Sequence, residues 1–272
     1  MNSIHQNKFF VLGCQRSGTT LLGMTLQAHS GIEFVEESES RFHEPYCLSK
    51  RINLEKVAEH ESQYQKLIGF KSPRDTHRFR EISKAISGVK IVWISRHVYQ
   101  VTASMLAPLI KGGQCWAVQH AQDEIIKYLY EGNHDPVLAG QFRQVLTRKD
   151  ARQRLVGLAS ICWIAKSKCE REASDHPEVC LFSVKYDDLA LRPEQTLAGV
   201  LRFLGLPWDS SVLRHTELVS GVRPGGTATD RSIDAKSLQK WKEQLSEADI
   251  ELIDELVVEH ADVLSSTSIQ AS

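Results

Sequence analysis

Apolar positions along this chain fall into two kinds of run, and the two alternate. Short runs with few polar breaks occur at 8–13 ("KFFVLG"), 32–35 ("IEFV"), 67–71 ("LIGFK"), 89–95 ("VKIVWIS") and 179–184 ("VCLFSV"). Their length and their β-branched and aromatic content predict buried strands. Between them, apolar residues recur at helical spacing in 19–29 ("TTLLGMTLQAH"), 97–106 ("HVYQVTASML") and 192–205 ("RPEQTLAGVLRFLG"). Hydroxyl residues open the first of these helices, as helix N-termini favour, while Pro193 marks the first turn of the third and Gly205 its end. A last helix is predicted from the start signal Ser246-Glu-Ala-Asp249 and from Ile250, Ile253 and Val257 at helical spacing. Repeated strand–helix units predict an α/β fold, a parallel β-sheet flanked by helices on both faces.

The segment 107–155 interrupts this rhythm. It breaks at Gly112-Gly113 and at Asn133–Pro136 and otherwise reads helical, which makes it a helical insertion. A single domain over 1–265 is the expected organisation, followed by a flexible tail at 266–272.

The first strand runs into "GCQRSGTTLL", where Gly13 and Gly18 stand four residues apart and hydroxyls follow. A glycine loop between a strand and a helix offers backbone N–H groups and a positive helix end to one anion. This is the P-loop type of strand–loop–helix; its plainer alternative is a tight turn with incidental hydroxyls. Thr19 stands where a nucleoside-triphosphate-hydrolysing loop carries its lysine, and Arg16 supplies the cation instead. The strand at 89–95 ends in Ser95-Arg96, with no acid there to hold a magnesium ion. A strand ending in arginine suits a second anion, and Ser104, eight residues on, could meet the same group. Two anion sites at strand ends suit a nucleotide phosphorylated at both its 5′ and 3′ positions.

Composition narrows the classes. A net charge of −1 gives no sign of a nucleic-acid or membrane-surface binder. The six cysteines show no metal-like grouping and read as reduced thiols. With no signal-like start and no apolar run of membrane-spanning length, a cytoplasmic protein is expected.

"GCQRSGTTLL" and "WISRHVYQVTAS" resemble the 5′- and 3′-phosphate motifs of sulfotransferases that use 3′-phosphoadenosine 5′-phosphosulfate (PAPS). "FVEESES", "FKSP", "VKYDDLALRPEQTL", "FLGLPWDSSVLRH" and "SLQKWK" fall in the order found in tyrosylprotein sulfotransferases and their bacterial relatives. The resemblance spans roughly 8–105 and 155–260, and it implies residue roles. Arg16, Ser17, Gly18, Thr19, Thr20 and Leu21 would bind the 5′-phosphosulfate, and Arg96 and Ser104 the 3′-phosphate. Tyr186 would lie near the nucleotide, as would Thr227 (or Thr229) and Arg231. Glu37 would be the general base, with Glu36, Glu39 and His43 as competitors, and Lys71 would lie near the leaving group with Arg16. His77 reads as a structural histidine, and Trp163 and Trp241 as core anchors.

The resemblance thus implies a metal-independent PAPS-dependent sulfotransferase releasing 3′-phosphoadenosine 5′-phosphate (PAP). Its partner would be a hydroxyl acceptor, whether small molecule, sugar or peptide tyrosine; the oligomeric state stays open. An ATP-dependent phosphotransferase and a non-catalytic nucleotide-binding protein are the alternatives.

Overall fold

The computed structural model describes residues 7–37, 39–46, 49–107, 115–131, 134–219, 230 and 232–261. In chain order the elements begin with β1 (Lys8–Gly13), α1 (Thr19–Gln27), β2 (Ile32–Val35), β3 (His43–Tyr46), β4 (Ser49–Ile52) and α2 (Leu54–Glu59). They continue with β5 (Leu67–Lys71), α3 (Phe79–Ala85), β6 (Lys90–Ser95), α4 (Val98–Leu106), α5 (Gln122–Tyr130), α6 (Pro136–Thr147) and α7 (Ala151–Asp175). The remainder are β7 (Cys180–Lys185), α8 (Tyr186–Leu191), α9 (Pro193–Leu204), α10 (His215–Leu218), α11 (Trp241–Gln244) and α12 (Glu247–Val258). These residues form two compact units, one drawn from 1–95 and 172–235, the other from 96–171 and 236–272.

The first unit is built on a parallel sheet of five strands in the order β2-β5-β1-β6-β7. These are the five runs that the apolar pattern marks as strands, with β6 beginning one residue later and β7 shifted by one. All of β1 is buried, as a central strand covered on both faces requires. Phe10 stacks on Phe70 of the neighbouring β5, and Phe42 meets the same ring edge-on. The short antiparallel pair β3–β4 has no apolar alternation to announce it. It is fastened by Asp75, whose carboxylate accepts the Ile52 N–H, and by Arg78, which donates to the Ile52 carbonyl and to Asp75.

Register brings the chemistry to one edge. Val35 pairs with Phe70, so Glu36 and Lys71 leave β2 and β5 side by side. Val11 pairs with Lys71, Gly13 with Ile94 and Ser95 with Lys185. The carboxyl ends of all five strands therefore lie together, the edge where open parallel sheets bind ligands.

The second unit is helical over its described residues. The insertion contributes α5, α6 and the start of α7, and a π-helical turn at Ala117–Ala121 leads into α5. Asp135 caps α6 by accepting the Leu138 N–H, with Pro136 in the first turn. A capping box at Ser246 and Asp249 starts α12 where the sequence signal lies, and Asp249 also receives Arg152 from α7. His260 joins three elements: Lys168 donates to its Nδ1 at 3.0 Å, and its Nε2–H faces Gln141 Oε1 at 3.0 Å. No helix among the described residues is long and apolar enough to cross a membrane. Gly112, Gly113, Asn133 and the tail at 266–272 lie outside the described residues.

Candidate active site

The loop between β1 and α1 is shaped by three residues with positive φ: Gly13 (142°), Arg16 (70°) and Gly18 (100°). At both glycines the space for a side chain is taken. A Cβ on Gly13 would run into the Ile94 carbonyl, and one on Gly18 into the ring of Tyr186, the first residue of α8. Thr76 pins the loop's start: its hydroxyl accepts the Gly13 N–H at 3.3 Å and donates to the Gly13 or Pro73 carbonyl.

Thr19 and Thr20 open α1, as expected, but no hydroxyl caps it. Its N-cap is the left-handed Gly18, with no capping side chain and no acid in the first turn, and Thr19 and Thr20 sit inside the helix. The turn at Gly18 needs a residue without Cβ, and such a residue has no oxygen with which to cap. The positive end of α1 thus receives no side-chain cap. Beside it, Ser17 is 0 % exposed and its Oγ has no hydrogen-bond partner among the described residues. Burial also holds the Arg16 guanidinium below its ordinary pKa, so it is a charge with part of its water removed. An uncapped helix start, an orphaned buried hydroxyl and a desolvated cation in one loop fit a bound phosphate or sulfate group.

Lys71 reaches the first turn of α1. Its side chain is 1 % exposed, and its Nζ lies 3.0 Å from Glu36 Oε2 and 3.4 Å from Glu37 Oε2, with Thr20 Oγ1 accepting at 3.0 Å. The Glu36 side chain is 6 % exposed and that of Glu37 20 %. The structure therefore brings together Arg16 to Leu21, Glu37, Lys71 and Tyr186, and adds Glu36 as the nearer partner of the lysine. Both acids follow the end of β2 and turn toward the same ammonium, Glu36 the more deeply buried of the two. Glu39 is occupied by Arg41 at 3.1 Å, and His43 Nδ1 meets the Glu39 carbonyl at 2.9 Å. His77 is buried, as a structural histidine would be.

Arg96 and Ser104 lie in the second unit. Arg96 follows Ser95 in the chain and stands just before His97, whose Nδ1 caps α4 by accepting the Tyr99 N–H. Its Nε donates to Gln100 Oε1 at 2.7 Å and one terminal nitrogen to the Ser237 carbonyl at 3.1 Å. Trp163 is buried, and its indole N–H donates to the Arg96 carbonyl at 2.9 Å. Trp241 lies against Tyr99, ring centroids 4.9 Å apart. Ser104 lies on α4, about 1.7 turns after its start at 3.6 residues per turn. Thr227, Thr229 and Arg231 lie outside the described residues.

A parallel sheet with a glycine loop at its carboxyl edge and a buried lysine against two carboxylates define an α/β protein with a site suited to an anionic group. Comparison with known proteins is consistent with this. Residues 48–210 match the model of the Sulfotransferase family, and the chain belongs to that family. The matched span contains Lys71, Arg96, Ser104 and Tyr186, whereas the loop and Glu37 precede it. The chain is 35% identical over 68 residues to protein-tyrosine sulfotransferase 2 of Gallus gallus, a stretch covering 21% of this chain and 18% of that protein. It is 38% identical over 80 residues to protein-tyrosine sulfotransferase 1 of Danio rerio, covering 26% of this chain and 21% of that one. The matched stretch spans about a fifth of the length of these curated relatives.

Solved structures share the fold over nearly the whole chain. The sulfotransferase domain from the curacin biosynthetic pathway superposes with a TM-score of 0.53 at 17% identity, covering 92% of this chain and 96% of that one. A mouse sulfotransferase complexed with PAP superposes with a TM-score of 0.54 at 14% identity, covering 93% and 84% respectively.

Proposed function

We propose that this protein transfers the sulfuryl group of PAPS to a hydroxyl acceptor. The observation that carries the reading is the Lys71 ammonium, buried between Thr20 of the glycine loop and the Glu36 and Glu37 carboxylates. A buried ion pair is weak support for stability, because a well-packed apolar replacement often does as well, so a lysine kept there points to chemistry. PAPS, when bound, supplies an activated sulfuryl group on a phosphate leaving group. The loop from Gly13 to Leu21 would hold the 5′ end, through backbone N–H groups, Arg16 and the Ser17 hydroxyl. Arg96 and Ser104 would hold the 3′-phosphate, and Tyr186 fixes the loop's shape by packing on Gly18.

Glu37, the more exposed of the two acids, would take the proton from the acceptor hydroxyl. Lys71 and Arg16 would set positive charge where negative charge grows on the leaving oxygen. Acceptor choice is assigned to the insertion at 107–155, because variable segments on a fixed scaffold carry specificity. The names of the curated relatives make tyrosine peptides the first acceptors to try, followed by phenols, sugars and alkyl alcohols. The test is transfer of radiolabel from PAPS to that panel, with and without chelator. Label on one acceptor class, unaffected by chelator, supports the reading. PAP binding no tighter than ADP binding, together with transfer from ATP, would replace it with a phosphotransferase.

A further inference from the structure

The start of the glycine loop is held by a side chain that neither the motifs nor the comparisons assign. β5 ends at Lys71, and the next residue still bonds β1, the Ser72 N–H donating to the Val11 carbonyl at 3.2 Å. Alternate residues of a strand turn their backbone groups to the same neighbour, so Gly13 faces this side as well. Past Ser72 the chain leaves the sheet for the short 3₁₀ helix Pro73–Arg78. Thr76 on that helix takes the place of the missing strand: its hydroxyl accepts the Gly13 N–H at 3.3 Å and lies 3.1 Å from the Gly13 carbonyl. On the β6 side, Gly13 lies so close to the Ile94 carbonyl that a Cβ would collide with it. Gly13 is therefore gripped from both sides, just before the turn that the Ser17 N–H closes on the Cys14 carbonyl at 3.1 Å.

The short helix that carries Thr76 is itself anchored away from the loop. Asp75 accepts the Ile52 N–H at 3.1 Å and the Ser72 hydroxyl at 2.6 Å, and Arg78 donates to the Ile52 carbonyl and to Asp75, both at 2.9 Å. Thr76 is 0 % exposed, so water does not stand ready to replace its hydroxyl as a partner for Gly13. We infer that Thr76 is a positioning residue that fixes the first peptide of the glycine loop, and with it the direction in which the loop's N–H groups meet the 5′-phosphate end of the nucleotide. The inference rests on the proposed nucleotide-binding role of the loop. Gly18→Ala, which alters that loop directly, separates the two in the test.

The experiment is calorimetry on the full chain with PAP and ADP, which carry phosphate at the 5′ position, and with adenosine 3′-phosphate, which does not. The variants are Thr76→Val, Thr76→Ser, Thr76→Cys and Gly18→Ala. Thr76→Val keeps the shape and removes the hydroxyl. It should weaken PAP and ADP by about 10-fold or more and leave adenosine 3′-phosphate within about twofold. Thr76→Ser keeps the hydroxyl and should bind all three nucleotides within about threefold of the wild type. Sulfur is a weak acceptor, so Thr76→Cys should show the same selective loss, at least about threefold, and it carries the test where Thr76→Val does not fold. Wild-type affinity for PAP and ADP in the Thr76→Val and Thr76→Cys variants, with Gly18→Ala weakening both, overturns the inference and leaves the role of the loop standing. An equal loss for all three nucleotides makes Thr76 a structural residue and overturns the inference as well. PAP binding unchanged by Gly18→Ala overturns the role of the loop and the inference with it.

Discussion

Lys71 Nζ donates to Thr20 Oγ1 at 3.0 Å, which ties the end of β5 to the first turn of α1. Through this contact the lysine that faces the two carboxylates also touches the helix that follows the glycine loop. Thr20→Val keeps the shape and removes the acceptor. The ammonium retains Glu36 and Glu37, so the fold should survive with a loss of about 1–2 kcal/mol, the cost of one unmade buried hydrogen bond. Transfer from PAPS should fall by about 10-fold, a barrier change of the same size. Thr20→Ser should restore most of it. Thermal melts and initial rates on the same preparations check both parts.

Gly18 tests the loop itself. Its φ of 100° is unfavourable for any residue with a Cβ, and that Cβ would point into the Tyr186 ring. Gly18→Ala should cost about 1–3 kcal/mol in backbone strain alone and lower PAP affinity at least about 10-fold, because the loop must open to admit the methyl group. Adding Tyr186→Ala relieves the collision but not the φ, so the double variant should recover only part of the affinity. Full recovery would show that the ring, not the backbone, sets the requirement for glycine.

Asp249 predicts a pH dependence in the second unit. Burial pushes its carboxyl up, but Arg152, the Ser246 N–H and the Ser246 hydroxyl outweigh that and hold it below its ordinary 3.8. A carboxylate with a depressed folded pKa adds stability above its unfolded value, and that stability is lost as the pH falls through the folded value. Asp249→Asn should therefore destabilise by about 1–2 kcal/mol at neutral pH, a cap plus a pair discounted for a half-exposed arginine. The gap between wild type and variant should hold down to about pH 4 and close below it. Denaturant melts at a series of pH values measure it, and a gap that widens in acid would contradict the assignment.

The centre of the sheet was legible in the chain because β1, β5 and β6 are buried on both faces, and such strands read as short unbroken apolar runs. The loop was legible for a similar reason: Gly13 and Gly18 stand where backbone geometry tolerates nothing larger, so the requirement is written in residue type. The Lys71 cluster was legible only in part. Glu37 and Lys71 came from motif resemblance, while Glu36 as the nearer partner follows from register, since Val35 pairs with Phe70 and no local pattern encodes that pairing. The hydroxyls that open α1 were legible, but the absence of a side-chain cap was not, because it follows from the left-handed φ of Gly18.

The central claim is that Glu37 and Lys71 perform sulfuryl transfer beside a loop that binds the nucleotide. The most direct test measures transfer from radiolabelled PAPS and PAP affinity on the same preparations of wild type, Glu37→Gln and Lys71→Met. Glu37→Gln keeps shape and hydrogen bonding without the ability to accept a proton, so turnover should fall about 10²–10⁴-fold. Lys71→Met removes the charge at similar length and should fall by at least about 10²-fold. PAP affinity should stay within about threefold for Glu37→Gln, less than the effect of losing one charge-assisted hydrogen bond to the ligand. Variants that bind PAP and turn over PAPS at the wild-type rate would contradict the account.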